Sequence, residues 1–223
     1  KHVEVDAYSR EVAVISQQPP VQGYNLKLTI DVELQRVTEE ALREWMQKAN
    51  SPVGVAIAMD PRDGAILSMV TLPNYDNNLF SGGISLEDYT RLSTDKRRPL
   101  VNHAVSGQYP PGSTFKLVGA TGALEEGVIT EATRFSCGGV LYLPNRFAPA
   151  DASLAQPFYC WRAGGHGSLS IVGGIANSCN IFFYQVVGGY GDFPGLGIKA
   201  LGEWALRYGY GAETGIDLTG EVP

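Results

Sequence analysis

Two apolar runs separated by a strong turn sequence place the tightest constraint on the fold of this chain. The runs cover residues 53–58 and 65–70, and the turn sequence Asp-Pro-Arg-Asp-Gly occupies residues 60–64. Proline presets the backbone for a turn, aspartate accepts hydrogen bonds from the backbone that follows it, and glycine adopts the positive φ that closes many turns. The pattern therefore predicts a buried β-hairpin.

The chain before this hairpin predicts an arm, a short strand and an amphipathic helix. Residues 1–25 contain two short alternating stretches and a Pro-Pro pair, which predict a linker or arm from an upstream domain. Residues 26–30 alternate as a half-buried strand does, and Asp31 follows as a helix N-cap. The helix should end near residue 50. Its apolar positions, most of which are expected to be core residues, are Leu34, Val37, Ala41, Leu42 and Trp45.

The rest of the chain predicts further helices separated by long loops. We expect helices at residues 85–92, from about Ser113, at 170–187 and at 196–208, with a glycine-rich loop region at 137–167. Together with the hairpin, this pattern predicts an α/β (α+β) fold in which an antiparallel sheet packs against helices, including the one that begins at Ser113. The transpeptidase-like part is expected to cover residues 26–223.

A serine with a lysine three residues later marks the first chemical motif. Ser113 and Lys116 stand in the sequence Pro-Pro-Gly-Ser-Thr-Phe-Lys at residues 110–116. Residues three apart share one face of a helix, so Lys116 should reach the Ser113 hydroxyl. A lysine can remove the proton of a serine if partial burial lowers its pKa. The arrangement suits acyl transfer, although a lone Ser-x-x-Lys match is most often only the start of a surface helix.

A second serine motif follows where a loop enters an apolar helix. Ser178-Cys179-Asn180 places a hydroxyl and a carboxamide two residues apart. Such a pair can relay a proton to a leaving amine and hold a peptide carbonyl. Taken alone, the motif is more typical of a helix N-cap. The order Ser-x-x-Lys and then Ser-x-Asn is the signature of serine β-lactamases and penicillin-binding proteins.

Seven segments extend this signature along nearly the whole chain. They are LTID at 28–31, LQ at 34–35, DPRDGAIL at 60–67, PLVNHA at 99–104, YPPGSTFK at 109–116, GHG at 165–167 and TGIDL at 214–218. The chain resembles the transpeptidase domain of class B penicillin-binding proteins, and most of all the elongation type, penicillin-binding protein 2. The resemblance implies that Ser113 is the nucleophile, Lys116 the base, Ser178 a proton relay and Asn180 a substrate-positioning residue.

One motif of the family is absent from these 223 residues. The family carries Lys-Thr-Gly or Lys-Ser-Gly on a strand beside the active site, whereas the glycines preceded by threonine here, Gly122, Gly215 and Gly220, do not follow a lysine. The sequence is therefore expected to be the N-terminal part of the domain, with the final strands missing. Without that strand, an oxyanion hole would lack its second donor, and we expect this piece alone to be a weak acyltransferase.

The resemblance implies a cell-wall enzyme. It implies a D,D-transpeptidase that cross-links peptidoglycan stem peptides through an acyl-serine, reacts with β-lactams and partners a membrane glycosyltransferase of the elongation machinery. The alternatives are a β-lactamase or D,D-carboxypeptidase, and a non-catalytic β-lactam sensor or scaffold domain. The implied location is the periplasm or cell exterior, with the parent protein anchored to the membrane by a helix upstream of residue 1.

All 3 cysteines fall in the same part of the chain as one of the histidines. Cys137, Cys160, His166 and Cys179 form a complete tetrahedral zinc set of the structural kind, with no position left for water. Their spacing is not that of a zinc finger. The resemblance adds weight, because some elongation-type relatives carry a metal site at positions like these. The alternatives are a Cys137–Cys160 disulfide with Cys179 buried, and three free thiols.

Charge and composition exclude several other classes of function. The 17 Lys and Arg residues against 23 Asp and Glu give a formal net charge of −6, which argues against sequence-independent binding to nucleic acid. No apolar run approaches the roughly 20 residues that span a bilayer. No Gly-x-Gly-x-x-Gly or Walker sequence is present, so no nucleotide cofactor is predicted.

Overall fold

The computed structural model describes residues 2–19 and 21–223, which divide into two compact units at residues 100 and 101. Lys1 and Pro20, which fall within the predicted linker, lie outside the described residues. The two alternating stretches of that linker form a hairpin of two short strands. The boundary expected between residues 25 and 26 stays a prediction.

The described residues of the first unit form four strands and two α-helices. In chain order its elements are β1 (His2–Val5), β2 (Glu11–Ser16), α1 (Val32–Ala49), β3 (Gly54–Met59), β4 (Ile66–Leu72), a 3-10 helix (Asn77–Phe80) and α2 (Leu86–Thr94).

The predicted hairpin and its neighbouring helix are both present. β3 and β4 pair antiparallel from Gly54 opposite Leu72 onward. Asp31 caps α1 by accepting a hydrogen bond from a backbone N–H, and α1 packs on both strands. The Gln35 side chain bonds both the N–H and the C=O of Met69, each at 2.8 Å, and so ties α1 to β4.

Two expectations for this unit are wrong. Residues 26–30 form no strand, and Leu26 and Leu28 are exposed. Hydrogen bonds from the Thr29 hydroxyl to the Ile66 carbonyl and from the Asp31 N–H to the Leu67 carbonyl tie this part of the chain to β4 without a strand ladder. The apolar stripe of α1 contains no buried residue, and Trp45 is 64% exposed. An amphipathic pattern predicts which face of a helix packs against the rest of the protein, but not how much of that face becomes buried.

The second unit contains the predicted chemical motifs. Its elements are α3 (His103–Ser106), a 3-10 helix (Gly112–Phe115), α4 (Lys116–Glu125), β5 (Phe135–Cys137), β6 (Val140–Leu143), a 3-10 helix (Ala152–Leu154), β7 (Gln156–Tyr159), β8 (Gly167–Leu169), α5 (Ile171–Ala176), α6 (Asn180–Gly188) and α7 (Ile198–Arg207).

Helix α4 forms the centre of this unit and packs against α6 and α7. Two of its glycines make this close packing possible. A Cβ atom on Gly119 would lie 2.8 Å from a methyl of Val187, and one on Gly122 would lie 2.9 Å from both Leu196 and Trp204. The buried cluster beside α4 includes Phe182, Phe183 and the three cysteines.

Two further expectations are corrected in this unit. The segment 137–167 is not a continuous loop, because β5 pairs with β8 and β6 pairs with β7, both antiparallel. The helix expected at 170–187 is two helices, α5 and α6, separated at Asn177–Cys179. The mixture of helices and antiparallel strands confirms the predicted α+β class, although the described strands pair only two by two. No helix among the described residues is long and apolar enough to cross a membrane.

Candidate active site

Ser113 lies at the entrance to the central helix of the second unit. It is exposed in the 3-10 helix that leads directly into α4. Gly112 precedes it with a φ of +59°, a left-handed conformation that glycine adopts without steric cost. Most of α4 beyond its first turn is buried. Packing of this helix therefore fixes the position of the 3-10 helix that carries Ser113.

Lys116, one turn later, joins the two sequence motifs. Its Nζ donates hydrogen bonds to the Ser178 carbonyl oxygen at 2.8 Å, to Ser178 Oγ at 3.0 Å and to Asn180 Oδ1 at 2.7 Å. None of these three bonds goes to the Ser113 hydroxyl, which sequence spacing had made the expected partner. The lysine therefore connects the start of α4 with the junction of α5 and α6.

Ser178 occupies that junction in a strained conformation. Its φ is +46°, in the left-handed region that residues with a Cβ atom rarely adopt. The Ser178 N–H bonds the Ile175 carbonyl at 2.9 Å, which closes the end of α5. Cys179 then caps α6 through its sulfur, which accepts from the Phe182 N–H at 3.5 Å. Because of this break, Ser178 points its oxygen atoms at Lys116.

Burial lowers the pKa of Lys116 below its usual value of 10.5, while the nearby Cys160 and Cys179 thiols oppose the shift. The lysine is partly buried, and its Nζ lies 5.7 Å from the centre of the Phe183 ring. Removing an ammonium group from water favours its neutral form. A lysine with a lowered pKa is better suited to accept a proton than an exposed lysine is.

An open groove of about 190 Å³ passes Lys116 and is mostly apolar. Its walls are formed by the 3-10 helix before α4, the start of α4, and residues of α6 and α7, namely Gly112, Phe115, Lys116, Gly119, Phe183, Tyr184, Val187 and Leu201. Phe183, Tyr184 and Val187 also line a neighbouring apolar cavity of about 300 Å³ under the β6–β7 hairpin. The lysine thus borders space that an acyl group can enter.

The three cysteines and His166 converge in the same unit. Their ligand atoms all lie within 4.8 Å of one another. His166 Nδ1 is 3.6 Å from the Cys137 sulfur and 3.5 Å from the Cys160 sulfur, and the Cys160 and Cys179 sulfurs are 3.9 Å apart. All three cysteines are free and buried, so the Cys137–Cys160 disulfide considered from the sequence is not formed.

Glycines bring the strands of this cluster together. Gly139 and Gly165 both have positive φ, and a Cβ atom on either would lie about 2 Å from a backbone oxygen, at 1.9 and 2.1 Å respectively. Only a residue without a side chain fits there. The close approach lets the His166 N–H bond the Cys137 carbonyl at 3.0 Å, which fixes the histidine beside the sulfurs.

Burial in the cluster opposes ionisation of two of the cysteine thiols, but with different results. Burial raises the pKa of the Cys179 thiol to about 12. Burial also opposes ionisation of Cys160, but backbone N–H groups around its sulfur outweigh that effect and lower its pKa. His166 Nε2 is buried without a hydrogen-bond partner. All three sulfurs would be thiolates only with a cation bound beside them, and the donor set is the one that zinc prefers.

Two residues that contact the Ser178 segment were not identified from the sequence. The Tyr159 carbonyl accepts a hydrogen bond from Asn180 Nδ2 at 3.3 Å, and Trp161 Nε1 donates to the Asn177 carbonyl at 3.0 Å. Both residues flank Cys160 and contact the segment that contains Ser178. An aromatic residue on either side of a candidate ligand was visible in the sequence, but its partner was not.

Comparisons with known proteins agree on one family. A model of the penicillin binding protein transpeptidase domain matches residues 54–223. The peptidoglycan D,D-transpeptidase MrdA of Escherichia coli K12 is 38% identical over 221 residues, which cover 99% of this chain and 32% of that protein. The chain thus spans about a third of the length of the curated relatives it matches.

Solved structures give the same result. The structure of Pseudomonas aeruginosa PBP2 in complex with WCK 5153 has a TM-score of 0.70 and 34% identity, covering 87% of this chain and 40% of that one. Helicobacter pylori PBP2, in a complex with MreC, has a TM-score of 0.72 and 27% identity, covering 99% and 37%. The resemblance inferred from the sequence is confirmed: the chain belongs to the penicillin-binding protein transpeptidase domain family and is similar to its PBP2 (MrdA) type.

Proposed function

We propose that this chain carries the acylation centre of a peptidoglycan D,D-transpeptidase. Ser113 is the nucleophile, Lys116 the general base, Ser178 a proton relay and Asn180 a residue that positions the substrate. The hydrogen bonds from Lys116 Nζ to Ser178 Oγ and Asn180 Oδ1 carry the proposal, because they join the second motif to the lysine one turn after Ser113. The names of the relatives support it.

The reaction has two halves. Neutral Lys116 takes the Ser113 hydroxyl proton as Oγ bonds to the carbonyl carbon of the penultimate D-Ala of a stem peptide. The Ser113 N–H, at a helix start, stabilises the developing oxyanion. Ser178 passes a proton from Lys116 to the departing amine, the C–N bond breaks, and D-Ala leaves. An amine of a second stem peptide then attacks the acyl-serine, forms the cross-link and regenerates the Ser113 hydroxyl.

The same serine reacts with β-lactams, since opening of the four-membered ring acylates it in the same way. The rival functions differ in what happens next. A β-lactamase or carboxypeptidase transfers the acyl group quickly to water, while a sensor or scaffold domain holds it and joins no peptides. Only a transpeptidase passes the acyl group to a peptide amine. The fate of the acyl-enzyme therefore separates the three.

We propose that Cys137, Cys160, His166 and Cys179 hold one structural zinc ion. With zinc–sulfur and zinc–nitrogen distances of about 2.3 and about 2.0–2.1 Å, tetrahedral geometry requires sulfur–nitrogen separations of about 3.6 Å and sulfur–sulfur separations of about 3.8 Å. Three of the six separations are 3.5 and 3.6 Å for sulfur to nitrogen and 3.9 Å for sulfur to sulfur, and all six lie within 4.8 Å. The cation would neutralise the thiolates and crosslink the loops.

The partners and location of the whole protein are also proposals. Its substrates are peptidoglycan stem peptides, and its inhibitors are β-lactams. The H. pylori PBP2 was solved in a complex with MreC. Another similar structure is that of a peptidoglycan synthase complex that coordinates polymerization and crosslinking, which supports a membrane glycosyltransferase partner in the elongation machinery. Because this substrate lies outside the cytoplasmic membrane, we place the site in the periplasm or cell exterior, with a membrane anchor upstream.

Labelling with a fluorescent penicillin tests the proposal. The full-length protein is treated with the label, digested, and mapped by peptide mass spectrometry. We expect one adduct, on Ser113, that is absent in Ser113→Ala. Incubation of unlabelled protein with a stem-peptide donor and a stem-peptide amine should yield cross-linked product, with release of D-Ala, rather than only hydrolysed donor. An adduct on another residue, or labelling that persists in Ser113→Ala, would contradict the assignment.

A further inference from the structure

Residues 159–161 run alongside residues 177–180, and each of the three contacts that segment. The contacts join the Tyr159 carbonyl oxygen to Asn180 Nδ2 at 3.3 Å, the Cys160 sulfur to the Cys179 sulfur at 3.9 Å, and Trp161 Nε1 to the Asn177 carbonyl oxygen at 3.0 Å. The residues on both sides of Ser178 are therefore held by contacts with residues 159–161. Trp161 supplies the restraint on the N-terminal side of Ser178.

The hydrogen bond from Trp161 acts on one particular peptide plane. The Asn177 carbonyl oxygen and the Ser178 nitrogen belong to the same rigid peptide unit, so holding the carbonyl also holds the plane from which φ of Ser178 is measured and restrains that angle. That φ is +46°, which a serine keeps only where its surroundings hold it. The Ser178 N–H bond to the Ile175 carbonyl at 2.9 Å holds the other edge of the same plane.

The orientation of this peptide plane affects which Ser178 oxygen atoms can accept hydrogen bonds from Lys116. Both the carbonyl oxygen and Oγ of Ser178 accept hydrogen bonds from Lys116 Nζ, at 2.8 and 3.0 Å. Rotation about φ of Ser178 would swing both oxygen atoms relative to the lysine. We propose that Trp161 is a positioning residue, whose indole N–H holds the 177–178 peptide so that Ser178 stays aligned with Lys116. This inference rests on the proposed function.

A packing role does not account for the indole. Trp161 is 65% exposed, so most of its ring contributes nothing to the core. Its ring meets the His166 ring edge-on, with centroids 5.1 Å apart, a contact that a smaller aromatic ring can also make. The feature that only tryptophan supplies at this position is the N–H directed at Asn177. Its loss should therefore change the alignment of Ser178 more than it changes stability.

The test replaces Trp161 with phenylalanine in the full-length protein, which removes the N–H and keeps an aromatic ring. The matched control is Trp45→Phe, the same substitution at a tryptophan that is 64% exposed. Acylation by a fluorescent penicillin is resolved into a binding constant, KI, and a chemical rate constant, kinact. We expect kinact of Trp161→Phe to fall about tenfold, the usual scale for losing one hydrogen bond to a catalytic segment. KI, zinc content and Tm should stay unchanged, and Trp45→Phe should match wild type.

Two isosteric analogues separate the N–H from the shape of the ring. Benzothienylalanine at position 161 replaces the N–H with sulfur and should reproduce the loss, whereas 7-azatryptophan keeps the N–H and should retain the wild-type rate. An unchanged kinact in Trp161→Phe overturns the inference. A change confined to KI, or a fall in kinact with loss of zinc or Tm, overturns it as well, since the ring would then contact the ligand or serve only stability. Wild-type protein that is never labelled at Ser113 defeats the proposed function and this inference together.

Discussion

Removing the amino group of Lys116 should nearly abolish acylation while the protein stays folded. Lys116→Met keeps an unbranched side chain of similar length but deletes Nζ, and with it three hydrogen bonds of 2.7 to 3.0 Å to the Ser178–Asn180 segment. Loss of a general base typically costs about 10² to 10⁴ in rate. That range corresponds to about 2.7 to 5.4 kcal/mol in the activation free energy. We expect the second-order acylation rate constant to fall within it.

The assay is stopped-flow or gel-based acylation of the full-length protein with a fluorescent penicillin. The matched control is Lys199→Met, which makes the same change at an exposed lysine of α7 and should leave the rate unaltered. Circular dichroism melts check that both variants fold. If folded Lys116→Met acylates within about threefold of wild type, a factor well below the usual weight of a general base, Lys116 is not the base.

The pH dependence of the same reaction gives an independent check. Burial lowers the pKa of Lys116 from its usual 10.5, and only the neutral amine can accept the Ser113 proton. The rate should therefore rise with pH as Lys116 loses its proton, with a midpoint below 10.5. This rise should be missing in Lys116→Met. A midpoint at or above the usual lysine value would contradict the assigned environment.

Three further predictions concern the metal cluster, the packing of α4 and the second motif. Purified full-length protein should contain about one zinc per chain, and Cys160→Ser should lower both zinc content and Tm; wild-type protein without zinc would refute the site. Gly122→Val should destabilise the protein by about 1–3 kcal/mol in urea unfolding, because its Cβ would meet Trp204 at 2.9 Å, whereas Gly202→Val, with open space around it, should have little effect. Asn180→Ala should reduce acylation about tenfold or more at unchanged Tm, through loss of the hydrogen bond to Lys116; an unchanged rate would remove Asn180 from the site.

Features encoded by neighbouring residues could be predicted from the sequence. The β3–β4 hairpin depends on its own turn residues, and the start of α1 depends on Asp31, whose side chain accepts the Leu34 N–H at 2.9 Å. In each case the residues that direct the local structure are close together in the sequence, so the sequence pattern alone predicts the turn or the helix start.

Features that depend on distant partners could not be predicted. Lys116 bonds Ser178, 62 residues away, and the spacing of Ser113 and Lys116 contained nothing about that choice. The mainly polar residues 177–180 interrupt the apolar pattern and are typical of a helix N-cap, yet the helix expected at 170–187 was continued across them, and nothing in the sequence indicated the left-handed Ser178. The strand expected at 26–30 had the right alternation, but alternation cannot supply the partner that a strand requires.

The three residues of the Ser178–Asn180 segment serve two sites at once. Ser178 and Asn180 turn their side chains to Lys116, while Cys179 between them turns its sulfur into the buried cluster and caps α6. Because one short stretch of backbone carries all three, its position has to satisfy the lysine and the sulfurs together. A change in the cluster that moves Cys179 must therefore also move the two groups that face Lys116, even though none of the proposed metal ligands takes part in acyl transfer. Loss of the proposed zinc should thus lower the acylation rate before it unfolds the protein.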